Sequence, residues 1–119
     1  MNTKSDHILH IFGPENFHST KSISVEFYLD SDGYERLVKG YECTMPEDRW
    51  AMCLAGCDFY IARWTGVPVF KLTIERTHQG AIIRTVTYNA NKEKVRFRTQ
   101  KAAIEALREV LNSFLGLEI

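Results

Sequence analysis

Three cysteines, three prolines and no apolar run long enough to cross a bilayer mark this 119-residue chain, and each shortage closes off a class of protein. A secreted, disulfide-stapled domain pairs its cysteines. The odd set Cys43, Cys53 and Cys57 points instead to reduced thiols and a cytoplasmic location. A membrane helix needs about 20 mostly apolar residues. The longest apolar run lies at Ala51 to Ala55, far short of that, so no membrane span is expected. Met1 to His7 holds one lysine and is followed by no long apolar segment, which argues against a secretory leader. There is no Asn-x-Ser/Thr acceptor, and Leu117-Glu118-Ile119 is no lipidation signal. Net charge is also absent: fifteen Lys and Arg balance fifteen Asp and Glu, which excludes a histone-like or acidic-tail protein.

Catalytic and cofactor signatures are missing too. No glycine precedes a lysine, so there is no P-loop. There is no Gly-x-Gly-x-x-Gly, no Gly-x-Ser-x-Gly elbow, no Cys-x-x-Cys and no His-Glu-x-x-His. Cys53 and Cys57 share one face if they lie on a helix, but no second knuckle accompanies them, and free cysteine packs like a small hydrophobe. His7 and His10 would face opposite sides of a strand, while His18 and His78 fall in loop and turn segments. Asp30, Asp32 and Glu35 resemble part of a calcium loop, but Tyr41 stands where the closing carboxylate belongs. No catalytic residue, metal site or cofactor is therefore expected.

What is present is patterning. Ile23, Val25, Phe27 and Leu29 alternate with Ser24, Glu26, Tyr28 and Asp30, the period of a half-buried strand. Asp30-Ser31-Asp32-Gly33 reads as a turn and Tyr34 to Cys43 as the returning strand of a hairpin. His7 to Phe12 reads as a short strand ended by Gly13-Pro14. Thr44-Met45-Pro46-Glu47 has the form of a capping box. Behind it, Trp50, Cys53, Leu54, Cys57, Ile61 and Trp64 make a helical stripe. The competing reading ends that helix at Gly56 and makes Cys57 to Trp64 a strand. Val69 to Arg76, Ala81 to Tyr88 and Glu93 to Thr99 read as three further strands. Thr99 then caps a helix with the stripe Ala103, Ile104, Leu107, Val110, Leu111 and Phe114, stopped by Gly116. The expected fold is a single α+β domain over residues 1–119, a mainly antiparallel sheet with two covering helices in the order βββα-βββα. The halves match poorly in residue identity, so duplication is a weak alternative to one sheet.

Charge is polarised along the chain. Residues 1–60 carry ten acids and five bases, net −5; residues 61–119 carry five acids and ten bases, net +5. Lys71, Arg84, Lys94, Arg96 and Arg98 are the candidate partner-binding residues. In the strand reading, Lys94, Arg96 and Arg98 point one way, opposite Val95 and Phe97. Like charges in a row repel by up to about 1 kcal/mol per opposed pair, which a solvated face or an anionic partner relieves. The expected function is non-catalytic: a small inhibitor, immunity-type or adaptor module that binds an acidic protein surface through this face. Nucleic-acid binding on the same face is the alternative, weakened by overall neutrality and by the absence of any recognisable reader motif. An enzyme or ligand binder with a pocket between sheet and helices is the third. A homodimer through an exposed edge at Ser22 to Leu29 is also open.

Overall fold

The structure is a computed structural model that describes residues 8–41 and 49–119. Five strands form one antiparallel sheet: β1 (Thr20–Asp30), β2 (Trp50–Ala55), β3 (Asp58–Arg63), β4 (Pro68–Arg76) and β5 (Gly80–Asn89). Their spatial order is β1-β5-β4-β3-β2. Helices α1 (Ser31–Lys39) and α2 (Gln100–Leu115) join them. The fold class expected from sequence, α+β with an antiparallel sheet and two helices, is the one observed. The element order is βαββββα, close to the expected order without repeating it in the two halves.

Both helices cover the same side of the sheet. Leu37 of α1 and Ala103, Leu107, Val110 and Leu111 of α2 share one core with Phe59, Ile61, Phe70, Leu72, Ile74, Ile83 and Val86 from the strands. Phe59, Phe70 and Leu37 are wholly inaccessible to solvent. Each such side chain contributes roughly 1.5–3 kcal/mol relative to exposure. Arg36 links the two helices, donating from Nη1 to the Leu115 carbonyl (2.9 Å) at the end of α2.

Four local expectations are corrected. Tyr34 to Cys43 is not a returning strand: residues 31–39 form α1. The Asp30 carboxylate accepts a hydrogen bond from the Gly33 amide (2.7 Å), so the polar tetrad is a helix cap rather than a hairpin turn. Gly40 ends this helix at φ 66°, its N–H shared by the Arg36 and Leu37 carbonyls. Cys43 and the capping box at Thr44 to Glu47 lie outside the described residues.

Trp50 to Trp64 is not a helix but the hairpin β2–β3, whose two-residue turn Gly56-Cys57 has Gly56 at φ 64°. Cys53 is buried, as expected of a core cysteine, but Cys57 is exposed at the turn. Trp50 is half-buried under the Arg63 guanidinium, and Trp64 is exposed rather than in the core. Ile8 to Ile11 is a helical turn, not a strand, and His7 lies outside the described residues.

Finally, residues 93–99 are not a strand. A third neighbour cannot join β5, because β1 and β4 already take both of its sides. Val69 to Arg76, Ala81 to Tyr88 and the helix after Thr99 fall where the sequence places them, each within a residue or so.

Candidate functional site

The five candidate cations are divided between two places. Lys71 and Arg84 lie on the sheet face away from the helices, Lys71 in β4 beside Tyr60 and Arg84 at a slip in the β4–β5 and β1–β5 registers. Both are neutralised there. Arg84 donates from Nε and Nη2 to Glu75 Oε2 (3.0 and 2.7 Å) and from Nη1 to Glu26 Oε1 (3.1 Å). The hydrogen bonds to Glu75 raise its pKa further above the usual guanidinium value. Lys71 Nζ lies 3.9 Å from Asp58 Oδ2. An open depression beside Arg84, lined by Ser24, Val25, Glu26 and Thr85, is therefore edged by charges that already have partners.

The rest of this face is hydroxyl-rich: the Ser22 and Thr87 hydroxyls are 2.9 Å apart, and Thr73 stands opposite Thr85. One end is covered by residues before β1, where the Phe12 ring meets Tyr60 edge-on at 4.9 Å. Burial pushes the Tyr60 phenol up, with Asp58 and Cys53 adding to the shift.

Lys94, Arg96 and Arg98 lie on the connector between β5 and α2, together with Lys92 before them and Lys101 at the start of the helix. The chain is held there at both ends. Asn89 is buried, donates from Nδ2 to the Pro68 carbonyl (2.8 Å) and accepts the Asn91 amide at Oδ1 (2.9 Å). The Asn91 side chain accepts the Glu93 amide, and its carbonyl accepts the amides of Lys94 and Val95. At the far end the Thr99 hydroxyl accepts the Ala102 amide (3.0 Å) and caps α2.

Between these anchors Val95 enters the core and Phe97 packs on Phe70 and Tyr88, at 5.3 and 6.2 Å between ring centres. Lys94, Arg96 and Arg98 alternate with them and are exposed, so the in–out alternation survives although no ladder forms. Among the described residues no side chain forms an ion pair with Lys92, Lys94, Arg96, Arg98 or Lys101.

No family model matches this chain, and neither a curated protein nor a solved structure is significantly similar to it.

Sequence reasoning marked all five cations, but treated as one face what the fold separates into two. Asn89-Ala90-Asn91 reads from sequence as a turn, and the fold adds that Asn89 and Asn91 steer the connector. The signal available for them was an Asn-x-Asn at a strand end, since Asn side chains close local turns onto the backbone two residues on. No group of three metal-ligating side chains converges among the described residues. No helix there is long and apolar enough to cross a membrane.

Proposed function

We propose that this protein is a binding module that docks on an acidic protein surface through the connector, with Lys94, Arg96 and Arg98 as the contact residues. The carrying observation is the absence of counter-charges: these three side chains are exposed and unpaired among the described residues, whereas Lys71 and Arg84 are occupied by carboxylates. An unpaired cation held on an anchored backbone offers charge without first breaking an ion pair. The mode is that of a small inhibitor or adaptor, in which charge steers the encounter and the bulk of the domain covers the partner's surface. Protein is favoured over nucleic acid because Phe97, the aromatic between the cations, is turned onto Phe70 and Tyr88 and is not free to stack on bases.

The test is capture from the native host's lysate, with and without nuclease, by wild type, by Arg96→Glu/Arg98→Glu and by Lys71→Glu. A protein retained after nuclease, lost with the double variant and kept by Lys71→Glu supports the reading. In a binding assay with that protein, the double reversal costs at least about tenfold in affinity and flattens the salt dependence. Capture that disappears with nuclease assigns the connector to nucleic acid. Undiminished capture by the double variant overturns the site.

A further inference from the structure

The two edges of the sheet are unlike. β2 has six residues, and Tyr41 bridges it through paired backbone hydrogen bonds with Met52 (3.0 and 2.8 Å). β1 has eleven residues and pairs only with β5, so its other side carries no strand among the described residues. Long open edges are templates for further pairing, and proteins usually blunt them with proline or charge. β1 contains no proline. Its charges are Lys21 and Asp30 near the ends, and Glu26, which Arg84 already holds.

The side chains of β1 are also incompletely covered. Ile23, Val25 and Phe27 point to the core side but are half-buried, while Ile83 and Val86 on the next strand are wholly buried. On the opposite side Tyr28 is 66% exposed, the largest fraction among the exposed large apolar residues described.

We infer that two copies of this chain pair antiparallel along β1 about a two-fold axis at Val25, joining the two sheets into one. Residues directly opposite in such a pair point to the same face, so only certain registers keep apolar against apolar. Centred on Val25, the inner row meets as Ile23 with Phe27, Val25 with itself and Phe27 with Ile23, with Lys21 opposite Leu29 at either end. The outer row meets as Ser22 with Tyr28 and Ser24 with Glu26. No like charges oppose. Moving the axis by one residue to Glu26 would set two carboxylates face to face, which is destabilising. The slip in register between Ser24 and Phe27 occurs against β5, and alternation of burial along β1 stays strict through it. The strand is thus complementary to a second copy of itself, which selects that occupant for the edge. This proposal is independent of the docking reading for the connector.

Sedimentation velocity tests it on the full chain. Wild type is expected at twice 13.8 kDa, and Val25→Lys, which sets two lysines opposite each other at the axis, at 13.8 kDa with an unchanged far-UV spectrum. In a Cys43→Ser/Cys57→Ser background, Val25→Cys is expected to give a covalent dimer on mild oxidation, because directly opposed Cβ atoms lie about 4.5–5.5 Å apart, while Ser22→Cys is not. If Val25→Lys fails to fold, the cross-linking pair decides. A wild type that stays monomeric to about 0.1 mM overturns the proposal. A dimer that cross-links no better through Val25→Cys than through Ser22→Cys overturns it as well.

Discussion

Two groups of cations in this protein have the same chemistry and opposite situations. On the open sheet face Arg84 sits between Glu26 and Glu75, and Lys71 beside Asp58. On the connector Lys94, Arg96 and Arg98 stand free of such partners among the described residues. The difference follows from backbone geometry. In a sheet each residue has cross-strand neighbours, and three strands bring Glu26 beside Arg84 and Glu75 although it is far from both in sequence. The connector pairs with no strand, so its outward residues have no opposite number. A run of charge therefore means different things in the two places: a solvated, satisfied face in one, and an available face in the other.

The strongest way to break this contrast is to release the connector without touching a charge. Phe97→Ala removes the ring from Phe70 and Tyr88 and is expected to cost about 3 kcal/mol, read from the urea midpoint. Partner affinity should fall with it, although Lys94, Arg96 and Arg98 remain. Unchanged affinity would mean that the cations act as a flexible charge cluster and that anchoring is irrelevant.

A smaller effect separates the sheet face by pH. The Tyr60 phenol is pushed up, chiefly by burial, so the folded state holds its proton longer than the unfolded chain does. That contribution is complete below the ordinary phenol value near pH 10 and is lost as pH rises from there through the raised folded value. Tyr60→Phe should thus flatten the alkaline fall in stability and leave the neutral range alone. An equal alkaline fall in the variant would place the titrating group elsewhere.

The smallest effect sharpens the comparison directly. Arg84→Gln removes the ion pairs to Glu26 and Glu75, which are solvent-exposed. Its unfolding midpoint should lie slightly below wild type at low salt and merge with it at high salt, where surface pairs are screened. Arg96→Glu/Arg98→Glu, by contrast, should not lower the midpoint at low salt, since no pair is lost. A double variant destabilised as much as Arg84→Gln would show that the connector cations have acidic partners after all.

β1 alternates from Ile23, β4 alternates from Phe70 to Glu75, and α2 carries a stripe between Thr99 and Gly116, because each packs its apolar side on the single core. β5 is buried on both faces from Ala81 to Ile83, and its run of β-branched residues between turns marks it instead. In β2 and β3 neither pattern is clear. Met52 and Cys53 are both buried, as are Ile61 and Ala62, and Phe12 covers Tyr60 on the outer side. With both faces occupied, period two is blurred, and the remaining apolar spacing imitates a helix. In α1 the cap was present in Asp30, followed by Tyr34, Leu37 and Tyr41 at helical intervals, but Asp-Ser-Asp-Gly is equally good chemistry for a turn.

The candidate site divides along the same line. Residue types and local spacing were enough to establish the α+β class, three of the strands and the final helix. Periodicity and capping are local, and carry their own energies within a few residues. Which strands are neighbours, and hence which cations meet carboxylates and which edge stays open, was settled by the fold. Strand order joins residues distant in the chain: it used up both sides of β5, kept 93–99 from pairing as a strand, and left its alternating charges without a neighbouring strand.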